Sequence, residues 1–382
     1  MQPFTASPGS PQENAQHQIP YIQLMEEIQC SDMSFHPQQD LLALGLIDNS
    51  VQIYAYSAEG TASCIQQYNH HNGPVRCLSF SEEGKFLFTG SSDCSLAAID
   101  ATTGKIVFQK ANAHPDPLQC IATKESVLVT GDEEGCLKVW DLRQSKQVFC
   151  WEEHEDYISD IVIDYNRNTI LATSGDGFLS VWHMRRGKLE AMSDNIEDEL
   201  LSMAIIKEGS KVVVGTTEGI LTIWSWGDWG DMSDRFPGHP QSIDAIIPID
   251  DDTICTGSSD GLIRIVSIQP NGLLGLVGEH GELPIECLRL SHDKRWMAST
   301  SHDSCVRFFD VAYLYSDDGD DDEEGENDEK QKEKEKEPEH NSEHMDEVKD
   351  NTCNSELQPT GTAKKKKKKG RSKGRGFFSG LE

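Results

Sequence analysis

A closed ring of seven small β-sheets is the all-β fold this sequence predicts, and three observations predict it. An acidic residue stands six positions before the end of a short apolar segment at Asp48, Asp93, Glu134, Asp176, Glu218, Asp260 and Asp303. Those segments close on Tyr54, Ile99, Trp140, Trp182, Trp224, Val266 and Phe309, spaced 45, 41, 42, 42, 42 and 43 residues apart. Gly-Ser-Ser-Asp-like turns and a Trp-Asp ending accompany this period, which at about 40–45 residues is that of one four-stranded propeller blade.

The elements follow in order. Residues 1–19 are rich in Pro, Ser, Gln and Gly without apolar periodicity and read as a disordered leader, in which Ser7-Pro8 and Ser10-Pro11 are candidate phosphorylation dipeptides. Tyr21 to Ile28 alternates as a strand and stands where later repeats carry their outer strand. It is expected to pair with the last blade and remove the open edge that a ring of sheets would otherwise present. Each repeat then has one plan, seen in Val75 to Phe80, a turn at Glu83-Gly84, Phe86 to Thr89, a turn at Ser92-Asp93, and Leu96 to Asp100. Comparable triplets start near Asp32, His114, His154, Glu199, His239 and His280, and a fourth strand such as Gln147 to Trp151 leads into the next blade. The expected architecture is a seven-bladed WD-repeat β-propeller over residues 20–315. A disordered acidic linker at 316–363 and a basic tail at 364–382 follow it.

Charge and cysteines exclude several function classes. The chain carries 65 acids and 34 bases, a net charge of −31. Residues 1–315 hold 45 acids and 20 bases, and residues 316–382 hold 20 and 14, so the ring itself is acidic. Phosphate backbones bind through clustered Lys and Arg, so any RNA contact is expected from the tail, and weakly. Eleven cysteines include no Cys-x-x-Cys pair, and Met1 to Pro20 has no apolar signal-peptide core. Free thiols in a reducing compartment and no metal site are the reading; Cys77, Cys120 and Cys287 sit in apolar strands as small core residues. No apolar run approaches the roughly 20 residues of a membrane span.

His71, His114, His154, His239 and His280 precede their acidic turn residues by 20 to 23 positions, and Thr89, Thr130, Thr256 and Ser299 precede theirs by four. By residue type this imitates a catalytic triad. A nucleophile site occurs once, whereas this set recurs blade after blade, so it reads as the structural tetrad of a WD repeat. Gly257-Ser258-Ser259-Asp260-Gly261 joins strand to strand and reads as a hairpin turn, not a phosphate loop. The sequence therefore predicts no catalytic residues, no cofactor and no small-molecule substrate.

Three groups of residues are candidate contacts. Trp140-Asp141-Leu142-Arg143 resembles the WDxR box of cullin-4 substrate receptors, in which the Arg contacts the ligase adaptor; the resemblance assigns that role to Arg143. The next blade has Trp182-His183-Met184-Arg185, with His in the Asp position, so Arg185 is a partial second copy. Trp226 and Trp229 lie in a Gly- and Asp-containing connection, as partner anchors or as indoles folded back over their own blade. In the tail, Lys364, Lys365, Lys366, Lys367, Lys368 and Lys369 with Arg371, Lys373 and Arg375 suit nuclear import, and Phe377-Phe378 suits a short docking motif.

Together these pieces resemble the WD-repeat protein 55 family. The residues that carry the resemblance are Ser34-Phe35-His36-Pro37, Gly45-Leu46-Ile47-Asp48, Glu153 to Ser159, Ser174-Gly175-Asp176-Gly177, Ser233-Asp234-Arg235-Phe236, Leu290 to Lys294 and the terminal Phe-Phe-x-x-Leu. The resemblance implies a nuclear and nucleolar scaffold in ribosomal RNA production or large-subunit assembly, with pre-ribosomal assembly factors as partners. For plant members it implies a link to the cullin-4 adaptor.

Overall fold

A computed structural model describes residues 20–315, apart from Glu26 and Gly60. The leader at 1–19, the linker at 316–363 and the basic tail with Phe377 and Phe378 lie outside the described residues. Within them the chain forms seven four-stranded antiparallel sheets. In blades one to six the strands follow sequence order from the innermost outward; blade 3 runs Leu118–Lys124, Val127–Asp132, Leu137–Asp141, Lys146–Trp151. Among the described residues no helix is long and apolar enough to cross a membrane.

Blade 7 closes the ring. Its three later strands, Ile285–Leu290, Trp296–Ser301 and Cys305–Asp310, take Tyr21–Gln23 as the fourth, with Ile22 opposite Val306. The closing strand is three residues long, shorter than the alternation of Tyr21 to Ile28 suggests, although Leu24 N still donates to Ser304 O at 3.0 Å. Pairing first with last satisfies backbone groups that would otherwise template association.

The core lies between blades. Seven buried clusters of the described residues each join two neighbours around the ring. Strands buried on both faces explain why the second strands read as continuous apolar runs, such as Leu41–Leu46 and Lys211–Thr216, where polar alternation would leave a charge facing the next blade. At the seam of blades 3 and 4, Trp151 and Trp182 stack with centroids 4.2 Å apart and planes 8° from parallel. At the closure of blade 7 on blade 1, Phe35, Tyr56, Trp296 and Phe308 meet edge-on or tilted. Turn glycines permit the close approach: a Cβ on Gly135, at φ 85°, would lie 2.6 Å from the His154 carbonyl of the next connection.

Candidate interaction surfaces

The strand order gives the ring two ends of different chemistry. The connections between blades and the turns between second and third strands lie at one end; the remaining turns lie at the other. Histidines and acidic turn residues occupy the first end, and they interlock as a structural tetrad. In blade 3, His114 Nδ1 meets Asp132 Oδ2 at 2.8 Å, His114 Nε2 meets Thr130 Oγ1 at 2.6 Å, and Trp140 Nε1 donates to the same Thr130 at 2.9 Å. Here the structure corrects the expectation for Glu134, because Asp132, two residues before it, is the carboxylate that holds the histidine. The Glu134 amide donates to Asp132 Oδ1 from within the turn, which leaves the Glu134 side chain outside the network.

The other blades vary the theme. In blade 4 the expected Thr position is Ala172, and Ser180 of the third strand substitutes: it meets His154 Nε2 at 2.8 Å and accepts from Trp182 Nε1 at 2.8 Å. Blade 7 keeps His280 on Asp303 at 2.9 Å and Ser299 at 2.6 Å, with Phe309 in the indole position. Burial pushes the imidazoles of His71, His114, His239 and His280 below the usual histidine range, His239 to about 4. A buried imidazole held neutral between two fixed partners locks a turn; it has no solvent-facing nucleophile to activate.

At this same end all seven blades share a feature that the tetrad does not explain. The ladder between innermost and second strands slips once in every blade, after Cys30, Val75, Leu118, Ile158, Leu200, Ile243 and Ile285. The residues passed over are Ser31, Arg76, Gln119, Ser159, Leu201, Asp244 and Glu286. A bulge re-aims its extra side chain, and all seven line one cavity of about 430 Å³ at the channel mouth. Arg76 reaches Gln119 and Glu133, each at 3.3 Å, and His302 Nε2 lies 3.0 Å from Glu286. Tyr157 donates to Glu199 at 2.9 Å, and Ser259 donates to Asp244 at 2.7 Å. Burial, with Glu286 nearby, pushes the Asp244 carboxyl up. Below the mouth Asp32 pairs with Arg289 at 3.0 Å, and burial pushes Asp160 up as well. The mouth is thus a polar, predominantly acidic funnel. The sequence carried its signal in the residue after the first apolar position of each innermost strand, which is polar in every blade but the fifth, where it is Leu201.

The opposite end presents Arg143. Its guanidinium donates to both oxygens of Asp141 through Nε at 3.2 Å and NH2 at 3.1 Å, while Asp141 is only 2% exposed. The Arg143 bonds hold the Asp141 carboxyl below the usual range. Arg143 is therefore positioned by its own strand end and keeps 42% of its side-chain surface in solvent. Arg185 is exposed, and its amide donates to His183 Nδ1 at 3.2 Å, so the imidazole replaces the carboxylate as turn cap. Beside Arg143 an apolar cleft of about 360 Å³ between blades 2 and 3 is lined by Phe86, Phe88, Val107, Phe108, Trp140 and Leu142 among others. Lys110 Nζ sits 4.6 Å over the Trp140 ring.

Trp226 and Trp229 meet edge-on at 5.1 Å and pack, half-buried, on the cluster shared by blades 4 and 5. The Arg167 guanidinium lies 4.2 Å over Trp226. Both indoles fold back over their blade and keep part of each ring in solvent. Lys364 to Lys369, Arg371, Lys373, Arg375, Phe377 and Phe378 lie outside the described residues.

The family model for WDR55 matches residues 20–314. The chain is 49% identical over 284 residues to WD repeat-containing protein 55 of Danio rerio, covering 74% of this chain and 73% of that one. It is 37% identical over 290 residues to the Homo sapiens protein of that name, covering 75% and 76%. It is 36% identical over 281 residues to the Arabidopsis thaliana one, covering 73% and 79%. Among solved structures the WD40 β-propeller domain of Doa1 superposes with a TM-score of 0.65 at 16% identity, covering 77% of this chain and 98% of that chain, a likeness of fold.

Proposed function

The chain belongs to the WDR55 family, and from that premise we propose that it is a non-catalytic nuclear and nucleolar scaffold in ribosomal RNA production and large-subunit assembly. The observation that carries the scaffold reading is the ring of bulge residues from Ser31 to Glu286. One side chain per blade is turned into a single acidic mouth, held on a frame whose histidines are committed to structure. Such a mouth suits a cationic segment of a partner protein, since a Lys or Arg entering it would offset the like charges of Asp244 and Glu286. The nuclear assignment is supported by Lys364 to Arg375 in the sequence.

A second reading, favoured by the placement of Arg143, is a substrate receptor of a cullin-4 ligase. The side chain is pre-oriented by Asp141 and half open to a partner, which lowers the ordering cost of binding. One experiment separates the two. Affinity purification with mass spectrometry would compare the intact chain, Arg143→Ala, a Glu286→Lys variant and a chain ending at Tyr315. Pre-ribosomal proteins lost with Glu286→Lys support the scaffold, and an adaptor lost with Arg143→Ala alone supports the receptor. Unchanged partner sets in both variants would remove both surfaces from consideration.

A further inference from the structure

We propose that Cys136 and Cys150 form a reversible intrachain disulfide, a modification site on the outer half of blade 3 that is independent of the scaffold and receptor readings. Leu137 stands opposite Trp151 and Lys138 opposite Cys150, so Cys136, one residue before its strand, lies diagonally across from Cys150. Residues two apart share a face of a sheet, so both thiols project to the same side. Their sulfurs are 3.5 Å apart, the one thiol–thiol hydrogen bond among the described residues. A disulfide needs about 2.0 Å, so closure asks for roughly 1.5 Å of relative sulfur movement.

The two thiols are unequal in the way such chemistry requires. Cys150 is exposed and can meet a solute, whereas Cys136 is 4% exposed and can meet only its neighbour. The Cys136 amide donates to Asp132 Oδ1 at 2.8 Å, and the other oxygen of that carboxylate holds His114. Burial, followed by the bond to Cys150 and the Asp132 charge, pushes the Cys136 thiol up, so at neutral pH it waits as a protonated resolving group. Glu152 approaches Cys150, with its Oε1 4.0 Å from the sulfur.

The oxidant is hydrogen peroxide, and the electrons balance in two steps. The Cys150 thiolate attacks one peroxide oxygen: an S–O bond forms, the O–O bond breaks, and the second oxygen leaves as water with a solvent proton. Cys150 is then a sulfenic acid, oxidised by two electrons. Cys136 Sγ next attacks Cys150 Sγ: the S–S bond forms, the S–O bond breaks, and the departing hydroxide takes the Cys136 proton to leave as water. A small dithiol reverses the change and becomes oxidised in turn. The closed loop runs from residue 136 to 150 and contains the whole hairpin that presents Trp140, Asp141 and Arg143.

The test uses the full chain. Reduced protein would be treated under native conditions with limiting hydrogen peroxide, alkylated, digested with trypsin and analysed by mass spectrometry. Residues 125–138 and 147–167 fall in separate tryptic peptides. The expected product joins them at two hydrogens below the sum of their masses and disappears with dithiothreitol. In Cys136→Ala, which leaves Cys150 without a resolving thiol, Cys150 should instead be trapped by dimedone. In Cys150→Ser, an exposed change that spares the core, Cys136 should resist peroxide. Cys150 accumulating as sulfinic acid in the intact chain, or joining to Cys64 or Cys305 instead, would overturn the proposal. So would stoichiometric zinc in the purified protein that leaves when Cys150 is alkylated, because the pair would then be a metal site.

Discussion

Blades 3 and 6 hold the same turn with different chemistry. In blade 3, Thr130 is a hub: it serves His114 and Trp140 at once, and Asp132 fixes the other side of the imidazole. In blade 6, Thr256 meets His239 Nε2 at 2.8 Å, but the Trp position is Val266 and His239 Nδ1 has no protein partner. Asp260 is drawn away by Arg264, whose NH1 donates to it at 2.9 Å from a side chain only 8% exposed. Blade 5 goes further, with no histidine in its connection and a fully buried Trp224 whose Nε1 has no protein partner. The tetrad is therefore one of several ways to pin a turn. Burial between blades carries the fold, and each blade needs only enough polar pairing to fix its register.

Mutations in the two blades should separate these contributions in thermal and chemical denaturation. The largest effect is expected from Trp140→Ala, about 3–5 kcal/mol, through the cavity it opens and the loss of its bond to Thr130. Its counterpart Val266→Ala removes two methyl groups and should cost ~2 kcal/mol. Equal costs would mean that neither the larger ring nor its bond to Thr130 adds stability. Next comes the hub. Thr130→Val orphans two buried groups and Thr256→Val orphans one, at about 1–3 kcal/mol for each group. Blade 3 should therefore suffer about twice the loss, and a larger loss in blade 6 would reverse the ranking.

Acid sharpens the same contrast. His239 has its pKa lowered from 6.5 to about 4, by burial first and then by Arg264. Between those values the unfolded chain binds the proton and the folded chain does not. The stabilisation from keeping this histidine neutral is therefore complete above pH 6.5 and is lost as pH falls towards 4. His71, His114 and His280 are displaced in the same direction, so Tm should decline across this window. His239→Leu should flatten the decline, and an unchanged profile would exclude His239 as a contributor. The smallest effect on stability is expected from Arg143→Ala. Its pair with Asp141 is partly exposed and screened, so the change should stay within about 1 kcal/mol. A loss well above that would make Arg143 a structural element of blade 3.

Much of this was legible in the residues because a propeller repeats its instructions. Seven acidic positions, the apolar triplets and the recurring histidines located the blades and identified the histidines as structural. What was not legible was which of two nearby carboxylates would turn inward in blade 3. Asp132 and Glu134 are two residues apart and chemically alike; only the hairpin geometry, with Asp132 at a strand end and Glu134 in the turn, decides between them. The Trp226 and Trp229 placements were also open, since loop indoles can face solvent or their own blade; both pack on the cluster of blades 4 and 5, with the Arg167 guanidinium over Trp226.

The number of blades, the placement of their strands and the sharp change in composition after Tyr315 follow from the order of the residues alone. These are local or periodic properties, set by side-chain alternation and turn residues every 41 to 45 positions. Which residues converge is set by the folded ring. The seven residues from Ser31 to Glu286 are scattered over more than 250 positions, and a bulge in each blade turns them into one mouth. Cys136 and Cys150 come within 3.5 Å because two strands pair in one register of several possible. Convergence depends on ring closure and strand register, which are global constraints, and no stretch of chain the length of one repeat contains them.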